Sequence, residues 1–370
     1  MLLLNTPFRI KNVEVENRLL RSATLESKAD IEGFVTDDLL ELYYHLARGG
    51  AGFLITGAAA VEPAGKCFGQ QLCVYDDKYL PGLKKLADVV HRYGKGCKCA
   101  VQIFHQGMAG YSPSGDSNTP GKVFGLKDIR PEEITVTIKS FGLAARRVKE
   151  AGFDAVAVHG AHGYLLNQFL CPAANNRTDK WGGSLENRMH FTQEVYSAIR
   201  EQVGDDFPIL WKINTSDYID GGNGIEQYAR VVKTLAQMGV NLVELTGGME
   251  RQTKLRARLG QEAGEHEAYF YWAIDTMKEA IAGTETALAI TGGIRSLKAM
   301  ENLLKSGIDL IGICRPLICE PGLPNRLLHS PDKRRSKCTS CNKCYFHIAR
   351  QPLKCVQFDS FRSVLNNVSE

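Results

Sequence analysis

Ala155-Val156-Ala157-Val158-His159 is a short run of small and β-branched residues that ends on a histidine. Seven further runs share its character: Leu19–Thr24, Gly52–Thr56, Cys99–Phe104, Ile209–Ile213, Leu242–Thr246, Leu288–Thr291 and Leu310–Cys314. Between them lie stretches with helical spacing, such as Ile138, Phe141, Ala145 and Val148, or Ile225, Tyr228, Val231, Val232 and Leu235. Strand and helix in alternation demand a parallel sheet. Eight such units predict an α/β protein of the closed (β/α)8 TIM-barrel class in preference to an open doubly wound sheet. No G-x-G-x-x-G stands between a strand and a helix, and Gly221-Gly222-Asn223-Gly224 lacks the spacing, so the phosphate loop of a dinucleotide domain is missing.

Composition sets the remaining bounds. With 370 residues, 44% hydrophobic and 23% charged, the chain can bury a large core and is not a disordered polymer. Its net charge of +4 is interspersed, and the densest basic run, Lys333, Arg334, Arg335 and Lys337, has no aromatic interleaving, which argues against a nucleic-acid partner. The N-terminus lacks a signal-peptide pattern and no 18 apolar residues run together, so neither secretion nor a membrane helix is expected. Eleven cysteines without a secretory signal point to a reducing, cytoplasmic setting with metal or redox chemistry.

In a barrel the chemistry sits where strands run into loops. The residues there are polar: Thr24 and Glu26, Thr56, Gln102 and His105, His159 and His162, Lys212 and Asn214, Thr246, Gly292 and Gly293, and Arg315. The Gly-, Ser- and Pro-rich segment from His105 to about Pro131, with Tyr111 and Phe124 inside it, reads as a lid or binding loop.

One of these ends is especially dense. His159-Gly-Ala-His162-Gly-Tyr164 sets two imidazoles three residues apart and a phenol two residues further, beyond a strand end. Two donors and one acid so placed can converge on one oxygen and a neighbouring carbon. This stretch and Asn176-Arg-Thr-Asp-Lys-Trp-Gly-Gly-Ser-Leu-Glu-Asn-Arg188 resemble the fourth strand and following loop of the old yellow enzyme family. The resemblance spans nearly the whole chain: Asn17-Arg18, Gly49-Gly50-Ala51-Gly52, Gln102-Ile-Phe-His-Gln-Gly107, Lys212 and Cys314-Arg315-Pro316-Leu317.

The resemblance implies an FMN site. Gln102 would meet the flavin's pyrimidine edge, with the backbone from Thr56 through Gly57 to Ala58 facing the ring and Thr24 close by. Lys212 matches the cation near flavin N1 and the C2 carbonyl, where many relatives carry Arg. Gly292, Gly293, Cys314 and Arg315 match the phosphate site, with Cys314 in place of a frequent glycine. His159 and His162 match the pair that holds a carbonyl or nitro oxygen, and Tyr164 the proton donor to the α-carbon. At the first strand Leu25 falls at or near the position where several relatives carry a flavin-tuning Cys or Thr.

A second constellation follows. Cys338, Cys341 and Cys344 are spaced by two residues, and Cys355 lies eleven beyond. Four thiolates in this order suit a [4Fe-4S] cluster or Zn²⁺. The run resembles the cluster-binding segment of trimethylamine dehydrogenase and, with one residue fewer, that of 2,4-dienoyl-CoA reductase, which favours iron–sulfur; the resemblance covers the barrel and cluster of those larger relatives and not their nucleotide-binding domains. The other seven cysteines have no metal spacing and are expected to be buried or incidental.

The expected organisation is a barrel over residues 1–327 and a cysteine-rich extension over 328–370. The resemblance implies an ene-reductase, in which NAD(P)H binds transiently or an electron carrier supplies the electrons, and an activated, carbonyl-conjugated alkene accepts hydride. Its rivals are an amine or alcohol dehydrogenase that passes electrons out through the cluster, and a non-catalytic electron-relay subunit. A homo-oligomer is compatible with all three.

Overall fold

The computed structural model describes residues 2–67, 69–107, 126, 129–249, 267–348 and 351–358. All eight expected strands form: β3 Leu19–Arg21, β4 Phe53–Ala60, β5 Lys98–Phe104, β6 Ala155–Gly160, β7 Ile209–Asn214, β8 Leu242–Thr246, β9 Ala287–Thr291 and β10 Leu310–Ile313. They pair in parallel and close into a barrel in the order β10-β3-β4-β5-β6-β7-β8-β9. A small antiparallel hairpin precedes them, β1 Phe8–Ile10 and β2 Val13–Val15, which the sequence reading did not anticipate.

Alternation within each strand divides the core. Leu20, Phe53, Ile55, Ala100, Ala157, Leu210, Leu242 and Ala289 pack inside the barrel, and the hairpin adds Ile10 and Val15 to the same cluster. Val101, Val158, Trp211, Val243 and Leu288 point outward against the helices. Both faces are therefore dry, which is why the strands read as unbroken apolar runs. The outer layer comprises α1 Asp37–Arg48, α2 Leu80–Tyr93, α3 Pro131–Glu150, α4 Leu165–Leu170, α5 Leu185–Val203, α6 Ile225–Met238, α7 Ile274–Ile281 and α8 Leu297–Lys305. Thr36, Ser184 and Ser296 cap α1, α5 and α8 by accepting the N–H of Leu39, Asn187 and Ala299.

At the base of the barrel a repeated device joins strands in pairs. The Asn17 carboxamide accepts from Leu19 and from Gly52 just before β4, while its Nδ2 donates to the Gly50 carbonyl. Asp154, Asn241 and Asp309 each stand immediately before a strand and accept a backbone N–H at the start of the strand before it, from Cys99, Ile209 and Leu288. Four Asx side chains thus clamp β3 to β4, β5 to β6, β7 to β8 and β9 to β10 at their N-terminal ends.

After β10 come α9 Arg315–Cys319 and α10 Leu323–His329, then an irregular segment with α11 Lys343–Ile348. The boundary expected at 327/328 falls within α10. The segment folds back over the mouth of the barrel through a few ties: Ser336 N–H to the Arg295 carbonyl, Arg295 Nη1 to the Cys338 carbonyl and Leu353 N–H to the Glu26 carbonyl. Of the expected lid, 108–125 and 127–128 lie outside the described residues. Among the described residues no helix is long and apolar enough to cross a membrane.

Candidate active site

The mouth of the barrel opens into a cavity of about 760 Å³. Its wall carries Thr24, Ala58, Gln102, His159, His162, Tyr164, Lys212, Gly292, Gly293, Cys314 and Arg315, so one space collects nearly every residue expected at the site. Thr56 and Gly57 are the exceptions. Thr56 Oγ1 accepts the Gln102 N–H and donates to the Gly57 carbonyl, and Gly57 N–H donates to Glu26 Oε1 at 2.7 Å, so both act from behind the wall.

Glu26 explains the backbone at this point. It is buried, and the same Oε1 also accepts from Tyr43 Oη at 2.5 Å and Arg21 Nη2 at 3.1 Å. The network holds β4 where its register against β5 shifts between Ile55 and Ala58, which turns Ala58 toward the cavity.

His159 is the penultimate residue of β6, and its ring centroid lies 5.2 Å from that of His162 and 5.3 Å from that of Tyr164. His162 has φ +63°, a left-handed conformation that a non-glycine residue adopts at a cost. The turn is held by its N–H, which donates to Asn214 Oδ1, and by its ring, whose Nε2 is 2.9 Å from Thr246 Oγ1. Phe104 packs edge-on against Tyr164 with centroids 4.6 Å apart. Strand end, strained turn and aromatic backing together direct two imidazoles and a phenol into one volume.

At the third side Gly292 and Gly293 have φ of +131° and +73°. A Cβ on Gly293 would sit 2.3 Å from the Tyr269 ring, and one on Gly292 2.8 Å from Phe270, so only glycine keeps this turn open. Arg315 stands beside it, donating to Tyr269 Oη at 3.0 Å and to Asn342 Oδ1 at 2.6 Å. Thr24 Oγ1 and Cys314 Sγ are in contact at 2.6 Å. Gln102 Nε2 is buried with no hydrogen-bond partner among the described residues.

The four spaced cysteines also come together. Cys338, Cys341, Cys344 and Cys355 line a second, small pocket next to the first, and Cys344 belongs to both walls. Cys319, buried as expected, lines the same pocket, and Cys314 and Cys67 line the main cavity. Burial pushes the Cys338 and Cys344 thiols up, Cys344 to about 12. Among the described residues no three of these sulfurs lie within 4.8 Å of one another; His91, Cys99 and Asp154, at the base of the barrel, do so.

Several neighbours of the site escaped the sequence reading. Glu244, Tyr269, Phe270 and Arg295 were not singled out. A carboxylate at the centre of Leu242-Val-Glu-Leu-Thr246 was a usable signal, because an inward strand position seldom carries a charge.

Comparisons with known proteins fit this geometry. The sequence model of the NADH:flavin oxidoreductase / NADH oxidase family matches residues 3–333. A metal reductase of Desulforamulus reducens is 32% identical over 367 residues, which cover 96% of this chain and 53% of that protein. An NADPH dehydrogenase of a Geobacillus species is 32% identical over 330 residues, 87% of this chain and 92% of that protein. The solved structure of 2-naphthoyl-CoA reductase with 2-naphthoyl-CoA superposes with a TM-score of 0.85 at 30% identity, over 95% of this chain and 56% of that one. The chain therefore spans about half the length of the metal reductase and of the naphthoyl-CoA reductase.

Proposed function

Because the chain belongs to the NADH:flavin oxidoreductase / NADH oxidase family, that of old yellow enzyme, we propose that its cavity binds FMN and reduces carbonyl-activated alkenes with electrons from NAD(P)H. The observation that carries the reading is the convergence of His159, His162 and Tyr164 on one cavity that also holds a glycine cradle and an unpartnered buried amide.

The residues fit the cofactor. Gln102 Nε2 needs an acceptor, which a flavin's pyrimidine edge supplies. Gly292, Gly293, the Cys314 and Arg315 amides and the Arg315 guanidinium would hold the phosphate dianion. When bound, FMN supplies hydride to the β-carbon of the alkene. The protein does the rest: His159 and His162 bind the substrate's carbonyl oxygen and polarise it, Thr246 keeps the His162 ring in place, and Tyr164 delivers a proton from its hydroxyl to the α-carbon. An imidazole pair suits an oxygen better than an alkylammonium, which favours reduction over amine oxidation.

We assign the barrel, expected over residues 1–327, as ending with α10, and the cysteine-rich stretch after it as a metal-binding extension. The gathering of Cys338, Cys341, Cys344 and Cys355 on one pocket, with the spacing that resembles a cluster-binding segment, supports a [4Fe-4S] cluster there in preference to zinc. Cys344, common to both pockets, would then give single electrons a route between flavin and cluster. This favours, as a second reading, exchange with an electron-carrier partner in addition to NAD(P)H.

Anaerobic purification with an absorbance spectrum and an iron, sulfide and zinc assay tests the cofactors; stopped-flow mixing with NAD(P)H and then an enone tests the chemistry. Flavin with about four iron and four sulfide per chain is expected. A folded chain without flavin overturns the function, and flavin with one zinc overturns the cluster alone.

A further inference from the structure

Behind the cavity floor the chain buries an ion pair that the function above does not use. Lys212 on β7 and Glu244 on β8 stand opposite each other in the ladder, and Lys212 Nζ lies 2.7 Å from Glu244 Oε1. Their side chains are 5% and 3% exposed. Ser22 closes a ring between them: its Oγ donates to Glu244 Oε1 at 2.5 Å and accepts from Lys212 Nζ at 2.6 Å. Lys212 and Ser22 reach the cavity wall and Glu244 does not, so the carboxylate supports the ammonium from below. Gly312 leaves it room, since a Cβ there would lie 3.2 Å from Glu244 Oε1.

Stability does not account for the pair. A buried ion pair loses hydration that its attraction only partly restores, and apolar replacements of similar volume are often neutral or stabilising. The barrel uses such a solution two residues earlier on each strand, where Leu210 pairs with Leu242. The charge is therefore placed for what lies above it.

We infer that Glu244 is a positioning residue that acts through Lys212: it pins the ammonium at the cavity wall and cancels its charge, so FMN bound there would stay a stronger reductant than beside an unopposed lysine. The inference rests on the FMN reading. Adding two electrons and one proton to the bound ring leaves it one negative charge richer; reduced nicotinamide supplies the electrons in turnover and dithionite in the test. An unopposed buried cation stabilises that added charge, and a neutral pair does so far less.

The test is the flavin midpoint potential of the holoprotein and three variants, read by anaerobic spectral titration against a dye. Glu244→Gln should favour reduction at least about tenfold, about 30 mV upward for a two-electron couple. Lys212→Met should disfavour it by a similar factor. The double variant Lys212→Met/Glu244→Leu, which buries no unpaired charge and so folds even where Glu244→Gln does not, should stay within about threefold of the wild type, about 15 mV. A Glu244→Gln potential that is unchanged or lower, or a double variant as low as Lys212→Met alone, overturns the inference. A chain without the flavin absorbance bands overturns the FMN reading itself, whereas a flavin-loaded chain whose potential ignores Glu244 overturns only the role given to that residue.

Discussion

The two ends of the barrel are built from the same eight strands and use polar side chains in opposite ways. At the base, Asn17, Asp154, Asn241 and Asp309 turn their oxygens onto backbone N–H groups of neighbouring strands, so their polarity is consumed in holding the barrel closed. At the mouth, Gln102, His159, His162, Tyr164 and Arg315 face a cavity of about 760 Å³, and the backbone there is strained at His162 and opened by Gly292 and Gly293. These base residues are structural ties, and we propose that the cavity-facing ones at the mouth are tools. It follows that variants at the mouth should change chemistry with little change in stability, and variants at the base the reverse.

The largest expected effect lies at the mouth. Tyr164→Phe removes the proposed acid but keeps the ring that packs on Phe104, so the proposed alkene reduction should fall by about 10²–10⁴-fold while the melting temperature stays put. Reduction of the flavin by NAD(P)H should survive. A rapid-mixing experiment that separates the two half-reactions checks this, and equal slowing of both would blur the distinction between acid and scaffold.

The base gives the converse. Asn17→Ala leaves the N–H of Leu19, the N–H of Gly52 and the carbonyl of Gly50 without their partner in a buried place, a loss of roughly 2–3 kcal/mol. Urea unfolding should register it in full. The flavin dissociation constant and the turnover per folded molecule should not move, and a tenfold weaker flavin site would break the division between the two ends.

Arg315 sharpens the comparison, because it serves the cavity and the C-terminal cap together through Tyr269 and Asn342. Arg315→Lys keeps the charge and loses the planar fork. FMN affinity should weaken by about tenfold, the share of one charge-assisted hydrogen bond. The cap should also become easier to cleave between Lys337 and Phe358 in limited proteolysis, with the barrel intact. Tight flavin binding with a loosened cap would separate the two roles.

How far the sequence revealed these ends differs for physical reasons. The strands were legible because both of their faces are buried, and the tools at the mouth because His159, His162 and Tyr164 are close in the chain. Glu244 was not, since its meaning comes from Lys212 and Ser22, placed beside it only when the barrel closes. The hairpin of β1 and β2 was missed because three residues per strand give no readable period, although Ile10 and Val15 are core. Cys319 joins the four-cysteine pocket through the turn of α9 and not through spacing. Asn17 was visible only as part of a resemblance; its use as a clamp needed the register of β3 against β4.

The smallest effect probes the base by pH. His91 at the end of α2 sets Nε2 2.8 Å from Asp154 Oδ2, the same oxygen that accepts the Cys99 N–H. The hydrogen bond to Asp154 raises the imidazole above its ordinary value, against the opposing pull of burial. A histidine whose folded value is raised binds its proton more tightly in the folded state, so the contribution is complete below about pH 6.5 and fades as pH rises through the folded value. The side chain is 37% exposed, which limits the pair to about 0.2–1 kcal/mol after solvent screening. His91→Gln should therefore lower the denaturant midpoint at pH 5.5 and leave it nearly unchanged at pH 8.5. Were the loss as large at pH 8.5, the imidazole would be acting as a neutral hydrogen-bond partner of the clamp, and Asp154 would hold β5 to β6 without help from charge.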